Sequence, residues 1–135
     1  MAESFGIPVA TEVNRLTPLV DAMAKTTWTN IPTLSNGWTH STVPAQYRKV
    51  GDIVYLRGHL LSGNVAGGVI MATLPAGFRH LNANNMHFVV GYYSGGWKYG
   101  DMDIDLNGNL KVGATAFSTD AQPLTLNNVF YSTLA

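Results

Sequence analysis

From Trp28 to the C-terminus, apolar and polar residues alternate in short runs rich in Val, Ile, Tyr, Phe and Thr, and Gly, Asn, Pro and Ser punctuate the runs at close intervals. Alternation with a period of two puts successive side chains on opposite faces of an extended chain. The pattern therefore predicts an all-β body, an antiparallel sandwich or small barrel of about seven or eight strands. The first 27 residues follow another rule. Val9, Val13, Leu16, Val20 and Met23 recur every three or four positions, which is the stripe of one helix face. Pro18 falls inside that stripe and removes a helical hydrogen bond, so the helix bends there or starts near Thr17. A stripe of this length serves either a helix packed on its own domain or a short coiled coil or docking arm. The chain thus divides into an arm, residues 1–27, and a β head, residues 28–135.

Side-chain chemistry fixes the register of two predicted hairpins. In AQYRKVGDIVYLRGHL, residues 45–60, a two-residue turn at Gly51-Asp52 sets Lys49 opposite Val54, Arg48 opposite Tyr55 and Tyr47 opposite Leu56. Tyr47, Val54, Leu56 and Leu60 then share the core face. Arg48, Tyr55, Arg57 and His59 share the other, a polar and aromatic face suited to a subunit interface. In MDIDLNGNLKV, a loop of Asn107, Gly108 and Asn109 pairs Ile104 with Val112 and sets Asp105 against Lys111 on the solvent side. The glycine-rich stretches LSGNVAGGV (61–69) and SGGWKYGD (94–101) read as surface loops.

Composition narrows the function classes. Eight basic residues balance eight acidic ones, so no basic surface announces nucleic acid. The chain has no cysteine, which excludes disulfides and thiol chemistry and leaves a structural zinc site few ligands. It shows neither a secretory signal nor an apolar run long enough to span a membrane. Asp103, Asp105, Asn107 and Gly108 match the first half of a calcium loop, but position 114, where the closing carboxylate belongs, is alanine. A plain hairpin is expected instead. His40, His59, His80 and His87 form no helical pair and have no carboxylate at a zinc-type spacing, so no metal, no cofactor and no catalytic residue is assigned. The strongest candidate contact is VVGYYSGGWKYG, where Tyr92, Tyr93, Trp97 and Tyr99 surround a flexible loop. Rigid rings give contact area at little entropic cost, and sugars stack on them. Inward-facing or interfacial aromatics would read the same way.

Several collinear motifs carry a family resemblance: Gly37-Trp38, Ala45-Gln46-Tyr47-Arg48-Lys49, Gly51-Asp52, Leu56-Arg57-Gly58 and Leu74-Pro75-Ala76-Gly77-Phe78-Arg79. From about Trp28 onward the chain resembles the β-rich head domains of tailed-bacteriophage virion proteins, found in tail fibres, minor tail proteins and receptor-binding proteins. His80 stands where that family often has proline. The resemblance implies a jelly-roll-like β-sandwich, a homotrimer, no cofactor, and a place on the virion surface. It also implies other virion proteins of the capsid or tail as partners, with host-surface carbohydrate as a possible ligand. One head with a short arm and no shaft favours a capsid decoration protein docked by its arm. The alternative is a tail-tip or tail-fibre protein that recognises a host glycan. An enzyme has least support, because paired acids in a cleft would be needed and the eight acids cluster in a hairpin or scatter.

Overall fold

The computed structural model describes residues 26–117 and 122–134. These form twelve strands and no helix, and none of them belongs to a helix long and apolar enough to cross a membrane. One sheet has four strands in the order β1 (Thr29–Asn30), β4 (Gln46–Val50), β5 (Ile53–Arg57) and β12 (Phe130–Ser132). The other has eight, running β2 (Thr33–Leu34), β7 (Ile70–Thr73), β10 (Asn109–Val112), β9 (Trp97–Ile104), β8 (Met86–Tyr93), β11 (Leu124–Thr125), β6 (His59–Leu61) and β3 (Thr39–His40). All strand pairs are antiparallel. The fold is the expected all-β sandwich. The strand count exceeds the expected one because several strands are only two residues long, too short to show a period of two. The arm stripe Val9, Val13, Leu16, Val20 and Met23 lies outside the described residues.

The sheets meet across one apolar core. Tyr47, Val54, Leu56 and Tyr131 come from the smaller sheet, and Leu60, Met71, Met102, Ile104, Leu110, Val112 and Leu124 from the larger. Burying a side chain of this size contributes about 1.5–3 kcal/mol, which makes this layer the main source of stability. The segment Leu74-Pro75-Ala76-Gly77-Phe78-Arg79 clasps the layers together. Arg79 Nε donates to the Leu74 carbonyl (3.1 Å), Lys49 Nζ to that of Gly77 (3.2 Å), and the Tyr131 hydroxyl to that of Phe78 (2.5 Å). The Phe78 ring meets Tyr47 edge-on, with centroids 4.6 Å apart. Burial pushes the Tyr131 phenol well above its usual range, so it stays a donor. His80 is buried beneath this clasp with Nε2 2.7 Å from the Ile104 carbonyl, so Nε2 carries the proton.

The β4–β5 hairpin has the register read from its side chains: Lys49 faces Val54, Arg48 faces Tyr55 and Tyr47 faces Leu56 around a turn at Gly51-Asp52. The strand does not continue through His59 on the same face, however. Gly58 adopts φ +87° and hands the chain from the small sheet to the large one, where His59 pairs with Thr125. The second hairpin is also shifted. Leu110, not Val112, pairs with Ile104, and Lys111 stands opposite Asp103.

Asp105 causes that shift by leaving the ladder to organise the turn. Its carboxylate accepts from the Asn107 and Asn109 amides at 2.9 and 3.0 Å and from Asn109 Nδ2 at 3.0 Å, and it lies 3.5 Å from Lys111 Nζ. Burial alone would raise the Asp105 pKa, but the bonds from Asn109 and Asn107 and the Lys111 charge together outweigh it and hold the group below its usual range. A carboxyl depressed on folding adds stability above its unfolded pKa and loses it as pH falls through the folded value. Asp105→Ala is therefore expected to cost about 1 kcal/mol at pH 7. In urea denaturation the gap to the parent should narrow below about pH 4; a gap independent of pH would contradict the assignment.

Candidate functional site

The β8–β9 hairpin is the longest ladder in the molecule, and its register sorts the aromatic segment. Eight pairs run from Met86 opposite Ile104 to Tyr93 opposite Trp97, so residues 97–101 are strand and not the expected loop. The turn is only Ser94, Gly95 and Gly96. Even-numbered positions turn inward, among them Phe88, Val90, Tyr92 and Met102. Odd-numbered positions, His87, Val89, Gly91, Tyr93, Trp97, Tyr99, Asp101 and Asp103, make one continuous outer face.

That alternation divides the four aromatic candidates. Tyr92 belongs to the core, 7% exposed, with its ring 5.2 Å from Phe117. Phe117 in turn lies against Gly100, where an added Cβ would come within 2.4 Å of the ring. Tyr93, Trp97 and Tyr99 remain outside, and Trp97 and Tyr99 are 59% and 80% exposed. Tyr93 meets Trp97 edge-on, 5.9 Å between centroids at 81°. Trp97 Cε3 lies 3.7 Å from where a Cβ on Gly91 would stand, an ordinary van der Waals contact. With exposed Val89, these rings form an apolar shelf on a rigid ribbon. Beside it a hollow of about 270 Å³ is lined by Val89, Tyr99, Gly100, Asp101 and Thr115. Flat rings next to a carboxylate suit a ligand with both C–H faces and hydroxyl groups, which is the surface of a sugar.

The predicted interface residues are also separated. Arg48, Tyr55 and Arg57 lie together on the outside of the four-stranded sheet. Both guanidinium groups stack on Trp28, at 5.1 Å for Arg48 and 4.1 Å for Arg57. Arg57 Nε donates to Gln46 Oε1 at 2.8 Å, and Tyr55 stacks on exposed Phe130. His59 does not join them, because the chain changes sheet at Gly58.

The family model for the YomR C-terminal beta sandwich domain matches residues 22–125. The chain belongs to this family. Among solved structures, this YomR C-terminal-type sandwich is similar to the receptor binding protein (gp15) of Listeria phage PSA. The two share 20% identity with a TM-score of 0.62, over 93% of this chain and 79% of that one. It is also similar to the head domain of the lactococcal phage bIL170, again at 20% identity with a TM-score of 0.59, over 78% of this chain and 96% of that one. No curated protein matches at the sequence level. The likeness is one of fold: this chain shares the β-sandwich of those two phage proteins, the fold that the resemblance of the motifs around Trp38, Tyr47 and Phe78 implies.

One group on the outer face of this YomR C-terminal-type domain escaped the sequence reading. His87 pairs across the hairpin with Asp103, and its Nδ1 lies 2.5 Å from Asp103 Oδ1. Asp101, opposite Val89, projects from the same face. No linear spacing rule finds residues joined across a hairpin. The available signal was the Ser94-Gly95-Gly96 turn, which sets the register once Trp97 onward is taken as strand.

Proposed function

We propose that this chain is the host-recognition head of a bacteriophage virion protein at the tail tip or tail fibre, binding cell-surface carbohydrate without catalysing a reaction. The observation that carries the proposal is the shelf of Tyr93, Trp97 and Tyr99 held on a rigid ladder beside Asp101. The fold supports it, since both solved neighbours are described as receptor-binding proteins or domains. Capsid decoration, the first expectation from the sequence, receives no support from either neighbour. The location is tested by labelling intact particles with antibody against the head and viewing them by electron microscopy. Signal at the tail tip is expected; signal confined to the shell would overturn the proposal.

The outer face of the four-stranded sheet supports a second part of the proposal, self-association into a trimer. Stacked Tyr55 and Phe130 flank the Trp28–arginine cluster, and among the described residues no ion pair is made by Arg48 or Arg57. Aromatics and arginine are the residue types that interfaces favour. Arg57→Glu is expected to shift the assembly toward monomer in size exclusion with light scattering. An unchanged assembly would show that this face is free of subunit contacts.

A further inference from the structure

His87, Asp101 and Asp103 each offer one donor atom, and the three donors lie within 4.8 Å of one another on the outer face of the β8–β9 ladder. Strand pairing fixes the backbone beneath them. The Asp101 carboxylate occupies space that only a glycine at 113 leaves open, since a Cβ there would stand 2.3 Å from Asp101 Oδ2. His87 is the adjustable member, with its side chain 68% exposed against 16% for Asp103.

The charge balance favours a cation. Lys111 is opposite Asp103 in the ladder, but its ammonium is directed to Asp105, 3.5 Å away. Asp101 makes no ion pair among the described residues. Two carboxylates on one strand face are therefore countered by a single imidazole. A divalent ion matches the charge of the two carboxylates.

We propose that His87 Nδ1 and the carboxylates of Asp101 and Asp103 form a binding site for a divalent transition metal, zinc or manganese, at the end of the aromatic shelf. One nitrogen and two oxygen donors suit those ions, whereas calcium and magnesium select all-oxygen shells. Metal–ligand bonds of about 2.0–2.2 Å require donors closer together than the present maximum separation, which rotation of the exposed His87 side chain would bring about. The 2.5 Å contact between His87 Nδ1 and Asp103 Oδ1 must open slightly, since both atoms turn toward the same ion. Metal binding would thus replace the direct His87–Asp103 contact with two bonds to the ion. Three protein donors leave coordination positions for water or for hydroxyl groups of a ligand lying on the shelf. The site itself does not depend on the carbohydrate proposal.

The test uses the full chain and no sugar. Calorimetric titration at pH 7.5 with zinc chloride, then manganese chloride, is expected to show one ion per chain, with calcium at least about tenfold weaker. His87→Ala and Asp101→Asn should each weaken zinc binding at least about tenfold. In NMR spectra, zinc should move the imidazole signals of His87 and leave those of His40, His59 and His80 in place. Absence of stoichiometric binding, or binding that survives both substitutions with the His87 signals unmoved, would overturn the assignment.

Discussion

Gly58→Ala is expected to be the most damaging single-methyl substitution in the head, costing about 3–5 kcal/mol of folding stability. Two separate penalties combine. The residue sits at φ +87°, where a side chain costs about 1–2 kcal/mol. Its added Cβ would stand 1.8 Å from the Pro44 carbonyl oxygen, 2.6 Å from that carbonyl carbon and 3.1 Å from Ala45 Cα. These neighbours are backbone and have no rotamer by which to retreat. Relieving the clash means lifting residues 43–45, yet the His59 amide donates to the Val43 carbonyl and the Leu126 amide to the Gly58 carbonyl. The fully buried Ala45 would move with them. Gly95→Ala provides the comparison: its φ is +67° but nothing lies within 4 Å of the added atom, so only the backbone penalty of about 1 kcal/mol remains. Urea denaturation of both variants should show a much lower midpoint for Gly58→Ala. Equal midpoints would mean that the crossing at Pro44 yields easily.

The same glycine marks where the sequence stopped being legible. Up to Arg57, the alternation of apolar and polar residues gave both the turn and the register, because each face of a half-buried hairpin has one solvent and one core. Past Gly58 the alternation continues in the letters, with His59 and Leu60 fitting the same two faces, but the chain has moved to another sheet. Nothing in a local pattern distinguishes a strand that continues from one that bends into a second layer. The Asp105 turn was missed for a related reason. An aspartate whose carboxylate accepts three hydrogen bonds from residues two and four positions on looks, in sequence, like any solvent-facing strand aspartate. For the aromatic shelf the difficulty was glycine itself. Gly95, Gly96 and Gly100 suggested a flexible loop over residues 94–101, whereas here Gly100 makes room for the ring of Phe117 within a regular ladder. Once Trp97–Ile104 is strand, three of the four proposed aromatic contacts point outward and Tyr92 points in. The His87–Asp101–Asp103 group required that correction first.

Trp97→Ala is expected to leave the fold intact and to weaken carbohydrate binding about thirtyfold, near 2 kcal/mol. The stability effect should be small, because the ring is 59% exposed and packs only on its edge against Tyr93 and across Gly91. The binding effect should be large for the same reason. A ring in contact with Tyr93 and Gly91 on a paired strand loses little freedom when a sugar stacks on it, so most of the contact energy appears as affinity. Three comparisons separate this explanation from general damage. Tyr99→Ala removes a more exposed, less supported ring and should weaken binding less. Arg57→Ala, on the opposite sheet, should leave intrinsic binding unchanged if the protein remains assembled. Tyr92→Ala opens a cavity beside Phe117 and should lower the unfolding midpoint, which Trp97→Ala should not. Ligands found on a glycan array would be titrated by calorimetry against each variant. Full affinity in the folded Trp97→Ala protein would remove the shelf from the binding site and, with it, the structural basis for assigning host recognition to this hairpin.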